Sequence, residues 1–429
     1  MRPAALQPGD VLDGRYELLC EWSSGGMGTV WLARVRGYQG FEKLFAVKTL
    51  LPQFANDETF RTMFVDEARI VSQIRHGNVV GVEHLGDHQG TIYLALEWVQ
   101  GDSWSALIQA CHRANTLPAD VMLRIAAGAC AGLHAAHELR SEDGALLNVV
   151  HRDVSPQNVL IAEAGTTKLI DFGIAKSLGR SSEKTQAGLI KAKLEYASPE
   201  QVNFRAVDRR ADIWGVGVIL HYVFAGYLPF EAASDVRLIM AISEGTLKPM
   251  ARHVPRAVAD VVHKALQVDP AARFQTAAEM RSAIEACITS PTPPEVVAAC
   301  LRELLGDPLA SRRQELRQAI EAANRRVEHF AGAHASQARP QASHGVALPT
   351  MPPEVAQREF ARPPSPSQPG RASDPGATVQ RAAVQASRMP AGMWALVAIS
   401  TLLLIGVWVR VLMLAVEAKR STAAHVRTS

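Results

Sequence analysis

The chain has 429 residues, enough for two domains or for one large bilobal domain with appendages. It is 48% hydrophobic and 20% charged, the make-up of a globular protein, and a formal net charge of +3 gives no support to nucleic-acid binding. The five cysteines (Cys20, Cys111, Cys130, Cys287, Cys300) form no C-x-x-C pair and have no histidine at metal-ligand spacing, so they read as reduced, mostly buried thiols of a cytosolic domain.

The opening MRPAALQPGDVLDGRYELL lacks the apolar core of a signal peptide, so the first domain is expected in the cytoplasm. Tyr16–Cys20, Thr29–Val35, Phe45–Leu50 and Ile92–Trp98 alternate as strands do, with one helical stretch, Asp57–Ile74, among them. From about 101 to 288 the pattern turns mostly helical, as in Met122–Leu139, Ala211–Phe224 and Ala257–Leu266. The expected fold is therefore α+β and two-lobed, with a strand-rich small lobe (13–100) and a helical large lobe (101–288).

Residues 294–332 read as a helical extension of two helices, broken near Gly306-Asp307-Pro308. Leu316, Ile320, Ala323 and Val327 make an apolar stripe there among many charges, which suits a helix packed on the large lobe, or a solvated helix, better than one that binds a partner. Residues 333–390 are rich in Ala, Pro, Gln, Ser, Gly and Arg and bury too little apolar surface to offset chain entropy, the composition of a disordered tether. Met393–Val409 then runs 17 residues without a charge. Arg410 can snorkel and extend the span to Val416, and Trp394 and Trp408 sit where interfacial anchors belong. A single transmembrane helix over 393–416, with a short tail 417–429, is the expectation. Basic residues nearly balance on its two sides, so charge does not orient it.

Four motifs carry chemistry. Ser23-Ser24-Gly25-Gly26-Met27-Gly28-Thr29-Val30 lies between two expected strands, where glycines let a turn fold over phosphates and present backbone N–H groups. Alone it is weak, and no G-x-x-x-x-G-K-[ST] is present. Ala46-Val47-Lys48 occupies the next strand, and Glu67 follows 19 residues later on the expected helix, with Asp66 as its neighbouring alternative. His151-Arg152-Asp153-Val154-Ser155-Pro156-Gln157-Asn158 is the strongest single motif; thirteen residues beyond Asn158 stands Asp171-Phe172-Gly173. Phosphoryl transfer needs a phosphate cradle, a lysine, metal-binding oxygens and one carboxylate beside the nucleophile, and these motifs supply each in order. Lys48, paired with Glu67, would hold the α- and β-phosphates; Asp153 would accept the substrate hydroxyl's hydrogen bond; Asn158 and Asp171 would bind Mg²⁺.

With those residues in place, the chain from 13 to 288 resembles the eukaryotic-like (Hanks-type) serine/threonine protein kinases of bacteria, and HRDVSPQNVL with GGMGTVW is similar to those of myxobacteria. The resemblance implies a bilobal fold with ATP in the cleft, held by Mg²⁺ or Mn²⁺ and by a hinge at Glu97–Val99, with Leu96 as gatekeeper. It implies an activation segment from Asp171 to Ala197-Ser198-Pro199-Glu200, with Thr185, Ser181 and Ser182 as phosphosite candidates answering to Arg152. Glu200 would pair with Arg273, and Asp212 would brace the catalytic loop. Protein substrates, autophosphorylation, a homodimer for reaction in trans, and an inner-membrane location with the kinase domain cytoplasmic complete the expectation.

Three positions depart from the family. Ser23 replaces the first loop glycine, Ser155 stands where a lysine is usual, and Lys193 where a threonine is usual. If Ser155 and Lys193 have exchanged roles across one contact, Lys193 supplies the catalytic cation; the plainer reading is a solvated loop lysine. A pseudokinase scaffold is the alternative function, against which intact Lys48, Glu67, Asp153, Asn158 and Asp171 count. An aminoglycoside-type small-molecule kinase shares the H-x-D loop but lacks the S-P-E segment and its arginine.

Overall fold

Alternating apolar and polar residues make the first hundred residues a sheet. The computed structural model of the chain describes residues 6–25, 28–51, 57–172 and 194–337, the side chains of Thr59, Met63, Glu67 and 327–337 excepted. Strands β1 (Val11–Leu12), β2 (Tyr16–Ser24), β3 (Gly28–Arg36), β4 (Glu42–Leu50), β5 (Val82–His88) and β6 (Thr91–Glu97) form one antiparallel sheet in the order β1-β2-β3-β4-β6-β5. Leu18 and Leu19, neighbours that ordinary strand alternation sends to opposite faces of the sheet, are both buried, in separate apolar clusters. One face buries Tyr16, Trp31, Phe45 and Tyr93; Leu50, Ile92 and Leu94 pack with Phe64 and Ala68 of helix α1 (Glu58–Val71).

The large lobe is helical. Helices α2 (Trp104–Ala114), α3 (Ala119–His137), α4 (Pro199–Val202), α5 (Arg210–Ala225), α6 (Asp235–Glu244), α7 (Arg256–Ala265), α8 (Ala277–Glu285) and α9 (Pro294–Gln337) share one large apolar core. Helix α5 is buried nearly all round, from Ala211 to Phe224, so it can form only inside such a core. A small sheet, β7 (Gly101–Ser103), β8 (Val159–Ala162) and β9 (Thr167–Leu169), lies in this lobe and brackets the catalytic motif; the helical pattern of the sequence hides its short strands.

The break expected near Gly306-Asp307-Pro308 is present, since the dihedrals of α9 leave the helical range at Leu305. The difference from expectation is in the packing: the helix touches strand β2 of the small lobe as well as the large lobe. Among the described residues no helix is long and apolar enough to cross a membrane; the candidate span 393–416 and the tether before it lie outside them. The cysteines form no disulfide. Burial pushes the Cys130 thiol up to about 12 and that of Cys111 to about 11, so both stay protonated and inert.

Candidate active site

The β2–β3 hairpin brings the glycine-rich loop over the start of the cleft. Ser24 pairs with Thr29 across the hairpin, and Gly25 donates its N–H to the Gly28 carbonyl at 2.9 Å. A side chain at Gly28 would place its Cβ 2.5 Å from the Thr49 carbonyl oxygen, so only glycine lets this strand lie against β4 at that point. Val30 sits opposite Lys48 in the ladder, and Ala46 opposite Leu96. Ser23, Ser24 and Gly25 are exposed, while Thr29, Val30 and Ala46 are half-buried. Gly26 and Met27 lie outside the described residues.

Lys48 Nζ donates to Asp171 Oδ1 at 2.6 Å, so residues 123 apart in sequence meet across the cleft. Asp171 has φ +54°, a left-handed conformation that costs a non-glycine residue about 1–3 kcal/mol and is typically retained at functional sites. Glu67 lies on α1, the helix that packs on this sheet; its side chain is not among those described.

The catalytic loop hangs from a buried carboxylate. Asp212, 1% exposed on α5, accepts from the His151 and Arg152 backbone N–H groups, each at 2.8 Å, and from His137 Nε2 at 2.8 Å. His151 is fully buried. Its Nε2 faces the Ile170 carbonyl at 3.0 Å and must carry the hydrogen, leaving Nδ1 to accept from the Asp153 N–H at 3.3 Å. The His151 ring also lies 4.5 Å from the Phe172 ring, centroid to centroid. This tautomer ties the loop bearing Asp153 to the segment bearing Asp171. Asn158 Nδ2 donates to the Asp153 carbonyl at 2.8 Å, which leaves its Oδ1 as the acceptor. Arg152 has φ +62°, and among the described residues its guanidinium forms no ion pair.

Two further ties hold the frame. Arg273, fully buried, makes a two-pronged ion pair with Glu200, at 2.8 and 2.9 Å, and donates to the carbonyls of Gln267, Arg210 and Val268. The sequence marks these residues; it gave no sign of Gln201, whose Oε1 accepts from the Ser198 N–H at 3.0 Å and whose Nε2 donates to the Arg152 carbonyl at 2.9 Å. The S-x-x-Q spacing of a capping box is the signal that reveals it. At the hinge, the Glu97 side chain turns away from the cleft: it accepts from Lys168 Nζ at 2.7 Å and from the Gly81 N–H at 3.1 Å. The Glu97 N–H donates to the Gly81 carbonyl at 2.8 Å as well, so neither its side chain nor its N–H is free for a ligand. Lys168 gave no sequence signal beyond its place three residues before Asp171.

The donor set fits a hard cation. Asn158 Oδ1 and the Asp171 carboxylate offer oxygen atoms of the kind Mg²⁺ takes, since that ion is commonly held by one or two carboxylates together with substrate phosphates. Among the described residues no cluster of three His, Cys, Asp or Glu side chains offers an all-protein metal cage. Residues 173–193, with Ser181, Ser182, Thr185 and Lys193, lie outside the described residues.

Comparison with known proteins agrees with this geometry. The protein kinase domain family matches residues 16–284. Tyrosine-protein kinase MasK of Myxococcus xanthus is 37% identical over 276 residues, 63% of this chain and 43% of that protein. A probable serine/threonine-protein kinase of Clostridium perfringens, CPE1738, is 33% identical, over 65% of this chain and 39% of its own. The crystal structure of the Mycobacterium tuberculosis PknI kinase domain aligns at 26% identity and a TM-score of 0.48, over 66% of this chain and 99% of that domain. The chain thus spans about two-fifths of the length of the curated relatives it matches.

Proposed function

The chain belongs to the protein kinase family, with bacterial Hanks-type kinases among its relatives, and on that premise we propose that it transfers the γ-phosphoryl group of ATP to serine and threonine hydroxyls of proteins, its own chain included. The observation that carries this reading is the meeting of Lys48 and Asp171 at 2.6 Å, beside a catalytic loop that Asp212 fixes through two backbone N–H groups.

Each residue then has a task. Lys48 leaves Asp171 to hold the α- and β-phosphates, and the backbone of Ser23–Val30 covers them. Asp153 accepts the hydrogen bond of the incoming hydroxyl and aligns its oxygen. Asn158 and Asp171 would hold Mg²⁺, or Mn²⁺ in its place, and the ion neutralises phosphate charge when bound. Adenine would meet the backbone of Glu97 and Val99 between Val30 and Ala46. Because MasK is named a tyrosine kinase, the choice of hydroxyl is part of the proposal. So are attachment to the inner membrane by 393–416, with the kinase domain cytoplasmic, and a homodimer that phosphorylates in trans.

Lys48→Met and Asp171→Asn test the reading. Both should fold as the wild type does yet lose transfer by about 100-fold or more, since each removes charge that stabilises the transition state. Phosphoamino-acid analysis of the wild-type product should return phosphoserine and phosphothreonine. Near-normal turnover in either variant removes the assigned roles, and phosphotyrosine alone removes the hydroxyl class.

A further inference from the structure

The match to the kinase family ends at residue 284, yet α9 starts at Pro294 and climbs back along the molecule. Its first half is large-lobe core: Val297, Leu301, Leu305 and Leu309 are at most 1% exposed. Its base is docked closely. Gly165, in the β8–β9 turn at φ +86°, has no room for a side chain, because a Cβ would lie 1.8 Å from the Pro294 carbonyl oxygen. Pro308 lacks the N–H that would bond the Leu304 carbonyl, and the dihedrals break at Leu305 (φ −121°, ψ 19°), so the helix bends there. Past the bend its apolar stripe meets the other lobe. Ala323 is buried with Leu19 and Leu32 of the sheet, and Leu316 and Ile320 pack around Trp22 and the hinge residue Trp98.

Two polar grips fix this upper half. Arg312 Nη1 lies 3.0 Å from Asp102 Oδ1 and donates to the Gly101 carbonyl at 3.2 Å, on the strand that leaves the hinge. Asn324 Oδ1 accepts from Arg34 Nη1 at 2.8 Å and from Arg36 Nη2 at 2.7 Å, on β3. The Arg34 side chain is fully buried and that of Asp102 is 5% exposed, so each grip serves a charge that water scarcely reaches. Twelve residues, about 18 Å of helix, separate the grips. Glu97 is held on one side of the hinge by Lys168; Trp98, the next residue, faces α9 on the other.

We propose that α9 is a strut across the outer side of the hinge, one helix that holds β3 and the strand leaving the hinge at a set separation and thereby limits how far the cleft opens. Opening about residues 97–99 changes the distance between those two strands, so it must break one grip or the other. The nucleotide arm of the test rests on the kinase reading; the strut itself does not.

Backbone hydrogen exchange of the nucleotide-free full chain tests it, with Arg312→Ala, Asn324→Ala, the double variant and Asn324→Asp. Arg312→Ala should quicken exchange in Gly28–Arg36 as well as in Gly101–Ser103, and Asn324→Ala should do the same in return, each by about tenfold. The double variant should be no faster than the faster single, because one strut is lost only once. Residues so far apart have no direct contact to explain such non-additivity. Asn324→Asp keeps the size of the side chain but adds a third carboxylate where Glu17 and Glu42 already pair with Arg34 and Arg36, so it too should quicken exchange at both ends, which keeps the test decisive if an alanine variant folds poorly. Titration with ADP should show affinity moving in step with exchange. Acceleration confined to the mutated end, with an additive double variant, overturns the strut; ADP affinity indifferent to all four variants overturns its hold on the cleft. A wild-type chain that binds no ADP removes the kinase reading instead, and the exchange result still decides the strut.

Discussion

Buried charge sets the largest single-residue effects. The Arg273 side chain is fully buried and that of Glu200 is 7% exposed, and they are paired through both prongs of the guanidinium. Arg273→Ala strands the Glu200 carboxylate, so urea denaturation should show a loss of about 3–5 kcal/mol, while the Glu200→Ala, Arg273→Ala double variant should lose less than the sum of the singles. His221 behaves differently. It is fully buried between the carbonyls of Tyr227 and Lys248, and burial lowers its pKa from the usual 6.5. The native state therefore binds this proton less readily than the unfolded chain does. Its contribution is fully present above 6.5 and is lost as pH falls from there through the lowered native value. In His221→Asn, which still offers a donor, the fall in melting temperature between pH 7 and pH 5 should be shallower than in the wild type; an equal slope contradicts the assignment. At this scale the motif residues are legible in the sequence because chemistry restricts their type and spacing. Lys168 escapes notice because it acts through a single long-range contact that no spacing advertises; Gln201 carries only the short S-x-x-Q cue, which marks a helix start and not the hold on the Arg152 carbonyl.

Among the elements, strands β2, β3, β4 and β6 and helices α3, α5 and α7 follow from periodicity, with ends displaced by a few residues. The short strands β7, β8 and β9 do not, since three or four residues carry no readable period. Strand β5, VEHLGDH, mixes exposed and half-buried residues at the sheet edge and has no clean alternation. The stripe on α9 reads correctly as amphipathic; its partner is the chain's own small lobe, a fact that depends on the bend at Leu305 rather than on the stripe. The activation segment belongs to this scale. Arg152 makes no ion pair among the described residues and stands next to Asp153, so a phosphate on the segment is the natural counter-charge. Alanine at Ser181, Ser182 and Thr185 together should lower activity by about tenfold or more, and a phosphomimetic Thr185→Glu should recover part of it. An unchanged rate in the triple alanine variant means that no such switch operates.

The whole molecule joins a catalytic body to a C-terminal stretch of different composition. Residues 16–284 match the kinase family, and α9 carries the chain on from there. The apolar run Met393–Val409 is where the proposed membrane attachment resides. Full-length protein should sediment with membranes, and truncation after Ser387 should release it with catalysis intact; soluble full-length protein refutes the anchor. The central claim concerns phosphoryl transfer, and Asp153→Asn in the full chain probes it most directly. With saturating Mg-ATP labelled at the γ-position, wild-type protein should incorporate label into itself and into a protein acceptor, and Asp153→Asn should do so about 100- to 10,000-fold more slowly, the range expected when a positioned carboxylate is lost. Equal incorporation by the two proteins, or none by the wild type, contradicts the account.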